Sequence, residues 1–115
     1  MRKIERDMCQ AICDDVAHWC KDNTSVTRDE AGVHHVYLHG SEIAQVDELN
    51  IKVRHAGYRT NVTKSRLNAI LKTFGSFKDG IHQKDFVWYL RDGQLNKDTE
   101  MSQDGWYGLS DFSCK

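Results

Sequence analysis

Apolar residues recur at Ile4, Met8, Ile12, Val16 and Trp19, and Cys9, Cys13 and Cys20 widen the same side. Steps of three and four residues place these positions on one stripe of a helix, so residues 2–22 read as an amphipathic helix. Arg6, Asp7, Gln10, Asp14 and Lys21 form its polar side, and Asn23-Thr24-Ser25 ends the pattern. The period then changes to alternation. Thr24–Arg28, Val33–His39, Glu42–Val46 and Leu49–Arg54 read as strands, with turns at Asp29-Glu30-Ala31-Gly32 and His39-Gly40-Ser41. Leu49, Ile51 and Val53 alternate most cleanly with Asn50, Lys52 and Arg54. Such a run suits an antiparallel meander with one wet face.

Helical spacing returns at Lys64–Phe74. Leu67, Ile70, Leu71 and Phe74 form its stripe, Thr63 is the expected N-cap, and Gly75 stands where a helix ends. Asp85–Arg91 reads as one more strand, central because it is apolar on both faces. Residues 94–115 are polar apart from Trp106, Tyr107, Leu109 and Phe112. An irregular tail is expected there, docked by those residues or partly mobile. The expected fold is α+β: an N-terminal helix, an antiparallel sheet of three to five strands, a second helix and a further strand. Both helices pack on one sheet. Residues 1–93 form the domain and 94–115 its tail.

The 115 residues suffice for one core. No apolar run approaches the ~20 residues that span a bilayer, so no membrane association is expected. No apolar segment follows Met1-Arg2-Lys3-Ile4-Glu5-Arg6-Asp7, so no export signal is expected. That implies reduced thiols at Cys9, Cys13, Cys20 and Cys114. Cys9 and Cys13 are helical neighbours at a spacing that rarely suits a disulfide, and they read first as small buried apolar groups.

The net charge of -1 hides a strong segregation. Residues 1–51 carry a net -5, residues 52–84 a net +7 and residues 85–115 a net -3. The basic middle holds Lys52 and Arg54 on the polar face of a strand, Arg59 in a loop, and Lys64 and Arg66 at a helix start. Cations there oppose the helix dipole, whereas a phosphate would satisfy both the cations and the free N–H groups. Tyr58 and His55 lie beside them as groups that stack on bases. The bland alternative is neutralisation by the acidic segments, in surface pairs worth ~0–1 kcal/mol each.

Other chemistry is weakly signalled. On a strand, His35, Tyr37 and His39 share one face and His34 joins Val36 and Leu38 on the other. Histidines four apart on a strand stand ~13 Å apart and cannot chelate one ion. Cys9 and Cys13 with a sheet histidine would make a zinc site, but no Cys-x-x-Cys knuckle is present. No P-loop, Gly-x-Ser-x-Gly or His-Glu-x-x-His occurs, and no Cys–His pair is selected by spacing. The expectation is therefore a protein without catalysis, metal or cofactor.

The run Val36-Tyr37-Leu38-His39-Gly40-Ser41-Glu42-Ile43-Ala44 is followed by Ala56-Gly57-Tyr58-Arg59-Thr60-Asn61-Val62-Thr63-Lys64-Ser65-Arg66-Leu67-Asn68-Ala69-Ile70, and then by a Trp strand, Phe86-Val87-Trp88-Tyr89-Leu90. Over roughly residues 20–91 this resembles small accessory proteins of tailed bacteriophages. The resemblance implies a phage protein in the host bacterial cytoplasm and transfers no catalytic residue. Three functions compete. In the first, Lys52, Arg54, Tyr58, Arg59, Lys64 and Arg66 bind nucleic acid or a nucleoprotein. In the second, a host-takeover or anti-defence protein inhibits a host protein through its acidic N-terminal helix or Trp106, Tyr107 and Phe112. The third is a small metal-dependent enzyme. Self-association is left open.

Overall fold

The computed structural model describes residues 2–47, 50–75, 79–93, 96–101 and 105–108. Eleven elements follow one another: α1 (Lys3–Cys13), β1 (His18–Lys21), β2 (Thr24–Arg28), β3 (His34–Leu38), β4 (Ser41–Val46), β5 (Ile51–Val53), α2 (Asn61–Phe74), β6 (Gly80–Lys84), β7 (Val87–Asp92), β8 (Lys97–Glu100) and β9 (Tyr107–Gly108). The fold is α+β, with two antiparallel sheets in place of the single expected one. The six-stranded sheet runs β1-β2-β3-β4-β5-β9 and the three-stranded sheet runs β6-β7-β8.

The first helix is shorter than its apolar spacing predicts. It stops at Cys13 because Asp14 and Asp15 meet the negative end of the helix dipole, with no basic residue in the last turn to offset them. Asp15 takes a left-handed backbone at φ 57°, a conformation that Asp tolerates. His18–Lys21 then pairs antiparallel with Thr24–Arg28, Lys21 opposite Thr24. Trp19 continues the helical count by coincidence, because strand alternation points it toward the core opposite Val26. Val16 is left exposed between the two elements.

Strands β2, β3 and β5 follow their expected alternation, with Thr24, Val26, His34, Val36, Leu38, Ile51 and Val53 buried. β4 breaks it, because Ile43 and Ala44 are both buried ahead of Val46. The register slips between Val36 and Tyr37. Helix α2 begins at Asn61, three residues before the expected Lys64. The cap is Thr60, whose Oγ1 accepts the Thr63 N–H at 3.2 Å, and Thr63 is buried inside the first turn. Gly75 closes the helix without a left-handed residue, at φ -98°.

Met8, Cys9 and Ile12 of α1 and Leu67, Ile70 and Leu71 of α2 meet the sheet's buried face in one core, which also takes Ile81, Trp88, Leu90 and Met101. Asn68 ties α2 to β6 as a stand-in strand. Its Nδ2 donates to Ile81 O at 3.1 Å and its Oδ1 accepts from Ile81 N at 2.6 Å. A Cβ at Gly80 would lie 3.0 Å from that Oδ1, so glycine is what lets the strand approach.

Besides β1, three strands escape the sequence pattern: β6, β8 and β9. β6 is too polar to signal itself. β7 is central, as expected, but spans Val87–Asp92, and Asp85-Phe86 are a hairpin turn outside it. β8 and β9 lie in the expected irregular tail. β8 pairs with β7, β9 pairs with β5, and Met101 between them is fully buried. No helix among the described residues is long and apolar enough to cross a membrane.

Candidate nucleic-acid interface

β5 turns Ile51 and Val53 inward and leaves Lys52 exposed. Pairing with β9 sets Lys52 opposite Gly108 and Val53 opposite Tyr107. Tyr107 packs half-buried against the core, while Trp106, 37% exposed, lies under the Arg54 guanidinium at 5.3 Å from Cζ to the ring centroid. That distance is a cation–π contact. The basic strand and the aromatic tail, two separate sequence candidates, are thus one surface. Phe112, the third aromatic candidate of the tail, lies outside the described residues.

The loop after β5 is pinned from beneath. His55 is buried, so it is an anchor and not the stacking group that its sequence position suggests. Its Nδ1 accepts the Gly57 N–H at 2.9 Å, its carbonyl accepts the Tyr58 N–H at 2.8 Å, and its ring meets Trp88 edge-on at 6.1 Å. Ala56 and Gly57 turn the chain with φ of 54° and 80°. The loop thereby presents Tyr58, 46% exposed, and exposed Arg59, and leads into the α2 cap. Lys64 is half-buried on the first turn, which holds no acidic residue. Among the described residues Lys52 and Lys64 make no ion pair.

Arg66 differs from its five companions. It is 4% exposed and lies between the helices, where Nη1 contacts Glu5 Oε2 at 2.7 Å and Nε donates to Thr24 Oγ1 at 3.1 Å. Ser65 Oγ donates to the same Glu5 oxygen at 2.5 Å. Burial pushes the Glu5 carboxyl up, but these hydrogen bonds and the guanidinium charge outweigh it and hold the pKa below its ordinary 4.5. Arg66 therefore neutralises an interior carboxylate and is absent from the exposed surface.

The histidines and cysteines are dispersed. Cys9 is buried against α2, where its Sγ donates to Ala69 O at 3.8 Å and burial pushes its pKa up, while Cys13 is exposed. His34 is buried with Nε2 3.2 Å from Asp15 Oδ1. His35 stands on the opposite face between Asp29 and Glu42. Partial burial lowers its pKa, and the two carboxylates more than reverse that, leaving it above 6.5. His39 is in a turn at φ 53° and off the strand face expected for it. Among the described residues no three His, Cys, Asp or Glu side chains come together to hold a metal.

No curated protein and no solved structure matches the chain. A family model, Kyanoviridae Gp96 protein, matches residues 1–110. The chain belongs to the Kyanoviridae Gp96 protein family and is a small phage protein.

Proposed function

We propose that this phage protein is a non-catalytic accessory protein of the host bacterial cytoplasm. It binds nucleic acid, or a nucleoprotein, through the surface of Lys52, Arg54, Tyr58, Arg59 and Lys64. The observation that carries this reading is the Arg54–Trp106 stack at the β5–β9 edge, beside exposed Lys52. Cations that track phosphates beside exposed rings that stack on bases are the two elements of sequence-tolerant strand binding.

Fluorescence anisotropy with labelled oligonucleotides across a salt series tests it. Binding should weaken with salt, at about 0.7–0.9 in the log–log slope per phosphate neutralised. Lys52→Glu with Arg59→Glu should abolish binding and leave the melting transition in place. Salt-independent binding that survives the double variant would overturn the reading. Arg66 is unsuitable for such a test, because Arg66→Glu would bury a carboxylate against Glu5.

A second reading draws on the same edge. Exposed Trp106 with Arg54 above it is a pair of residue types that anchor protein interfaces, so a host-protein inhibitor would also contact here. One host protein that co-purifies after nuclease treatment, and is lost with Trp106→Ala, would favour it.

A further inference from the structure

Among the described residues the large apolar side chains left exposed are Val16, Tyr58, Phe86 and Trp106. All but Val16 are aromatic. Phe86 is the extreme case at 87% exposed. It sits at the tip of the β6–β7 hairpin, where Lys84 pairs with Val87 across a two-residue turn. Asp85 and Phe86 both take left-handed backbone, at φ 52° and 67°. A tight hairpin of that kind favours Asn-Gly, and a bulky ring at its second position is a conformational outlier. The tip thus spends stability twice, on backbone strain and on a ring held in water. Neither cost benefits the fold.

Trp88 links the hairpin to the candidate interface. Trp88, two residues along β7, meets His55 edge-on at 6.1 Å, and His55 anchors the loop that presents Tyr58 and Arg59. Two residues of strand span roughly 7 Å. Exposed Lys84 flanks the tip on the other strand.

We infer that Phe86 is a base-stacking wedge. The hairpin places its ring against an unpaired nucleobase, while Lys52, Arg54, Arg59 and Lys84 meet the phosphates on either side. The ligand class is single-stranded or locally unpaired nucleic acid, since a ring on a narrow tip finds a free base face only where bases are unstacked. This inference rests on the nucleic-acid reading above and adds the element that distinguishes strand from duplex.

The test compares the full chain with Phe86→Gly, Phe86→Leu and Phe86→Trp. The probes are a labelled oligothymidylate of roughly 20 nucleotides, a length that spans one or two ordinary single-strand sites, and a duplex of equal length. Wild type should prefer the single strand. Phe86→Gly should melt at the same or a higher temperature, because glycine relieves the left-handed turn, yet bind on the order of tenfold more weakly. Its salt slope should be unchanged, because no cation is removed. Phe86→Trp should restore binding and Phe86→Leu should not. If Phe86→Gly fails to melt cooperatively, the Leu and Trp variants carry the comparison alone. Unchanged binding in both the Gly and Leu variants, with binding still lost in Lys52→Glu/Arg59→Glu, overturns the wedge and leaves the interface standing. A duplex bound as tightly as the single strand also overturns the wedge. No binding of either probe by wild type overturns both.

Discussion

Arg54 and Arg66 belong to one basic segment, and the fold puts them to opposite uses. Arg66 is enclosed between α1 and α2, where Glu5, Thr24 and Asn23 take up its donors. Arg54 lies at the end of a strand with its guanidinium over an exposed indole. Burial strips water from Arg66, so its partner must be a fixed carboxylate, and loss of that carboxylate is severe. Arg54 is half-buried, and its guanidinium lies over a ring that still faces solvent, a contact between a cation and an aromatic face at the molecule's edge. Cationic composition alone therefore does not identify a binding surface. What matters is whether the fold turns the cation inward, as it does Arg66, or leaves it at the edge of the molecule.

Perturbations separate the two regions by size. The largest effect should come from ending the chain at Gly93, which removes β8, β9 and fully buried Met101. Loss of a buried methionine side chain alone costs roughly 2–5 kcal/mol. Urea denaturation should show this truncated chain partly or wholly unfolded, and a stability within error of wild type would make the β5–β9 edge dispensable to the fold. Glu5→Ala comes next. It leaves the Arg66 guanidinium buried without its carboxylate and should cost about 3–5 kcal/mol. Glu5→Leu combined with Arg66→Met should recover most of that, whereas a still lower midpoint would mean that the charge itself is needed.

The third effect is pH dependence. The Glu5 pKa is depressed in the folded state, so its stabilisation is present above the ordinary 4.5 and is lost as pH falls through the folded value. Glu5→Leu with Arg66→Met should remove that part of acid sensitivity in chemical melts from neutral pH downward. His35 has the opposite sign. Its folded pKa is raised, so its stabilisation is complete below 6.5 and is lost as pH rises through the folded value. His35→Gln should flatten that limb. The smallest stability effect belongs to the exposed edge: Lys52→Glu with Arg59→Glu should change the unfolding free energy by under about 0.5 kcal/mol per site. Neutralising the two sites instead, as Lys52→Gln with Arg59→Gln, should weaken binding without abolishing it and lower the log–log salt slope for a single strand by about 1.4. A large drop in stability would assign these cations to the fold, as Arg66 already is.

The meander was legible because one face of it is wet. Alternation along β2, β3 and β5 is a local property, and the burial of Ile51 and Val53 around exposed Lys52 follows it directly. The helix over-reached into β1 because Val16 and Trp19 continue its helical count, although Val16 lies exposed outside both elements and Trp19 reaches the core from a strand. The signal against it was Asp14-Asp15, a poor helix end. The interior ion pair did leave a trace in the sequence. Glu5 precedes Met8 and Cys9 by three and four residues, and Arg66 precedes Ala69 and Ile70 likewise. Each charge lies on the apolar stripe of its own helix, which is where a buried charge needs an opposite partner. Of the six basic-segment candidates, five stand at or near the surface by the structure and Arg66 does not.

The sequence by itself determined the α+β class, the two helical stripes, the meander and the concentration of cations in residues 52–84, because periodicity and charge are written locally. Only the tertiary structure decided that Trp106 lies under Arg54, that Met101 is core, that Phe86 stands at a strained tip, and that Arg66 is spent on Glu5. Those outcomes depend on which distant segments pair. β9 reaches β5 across α2 and the three strands β6, β7 and β8, and no local pattern encodes a partner at that separation.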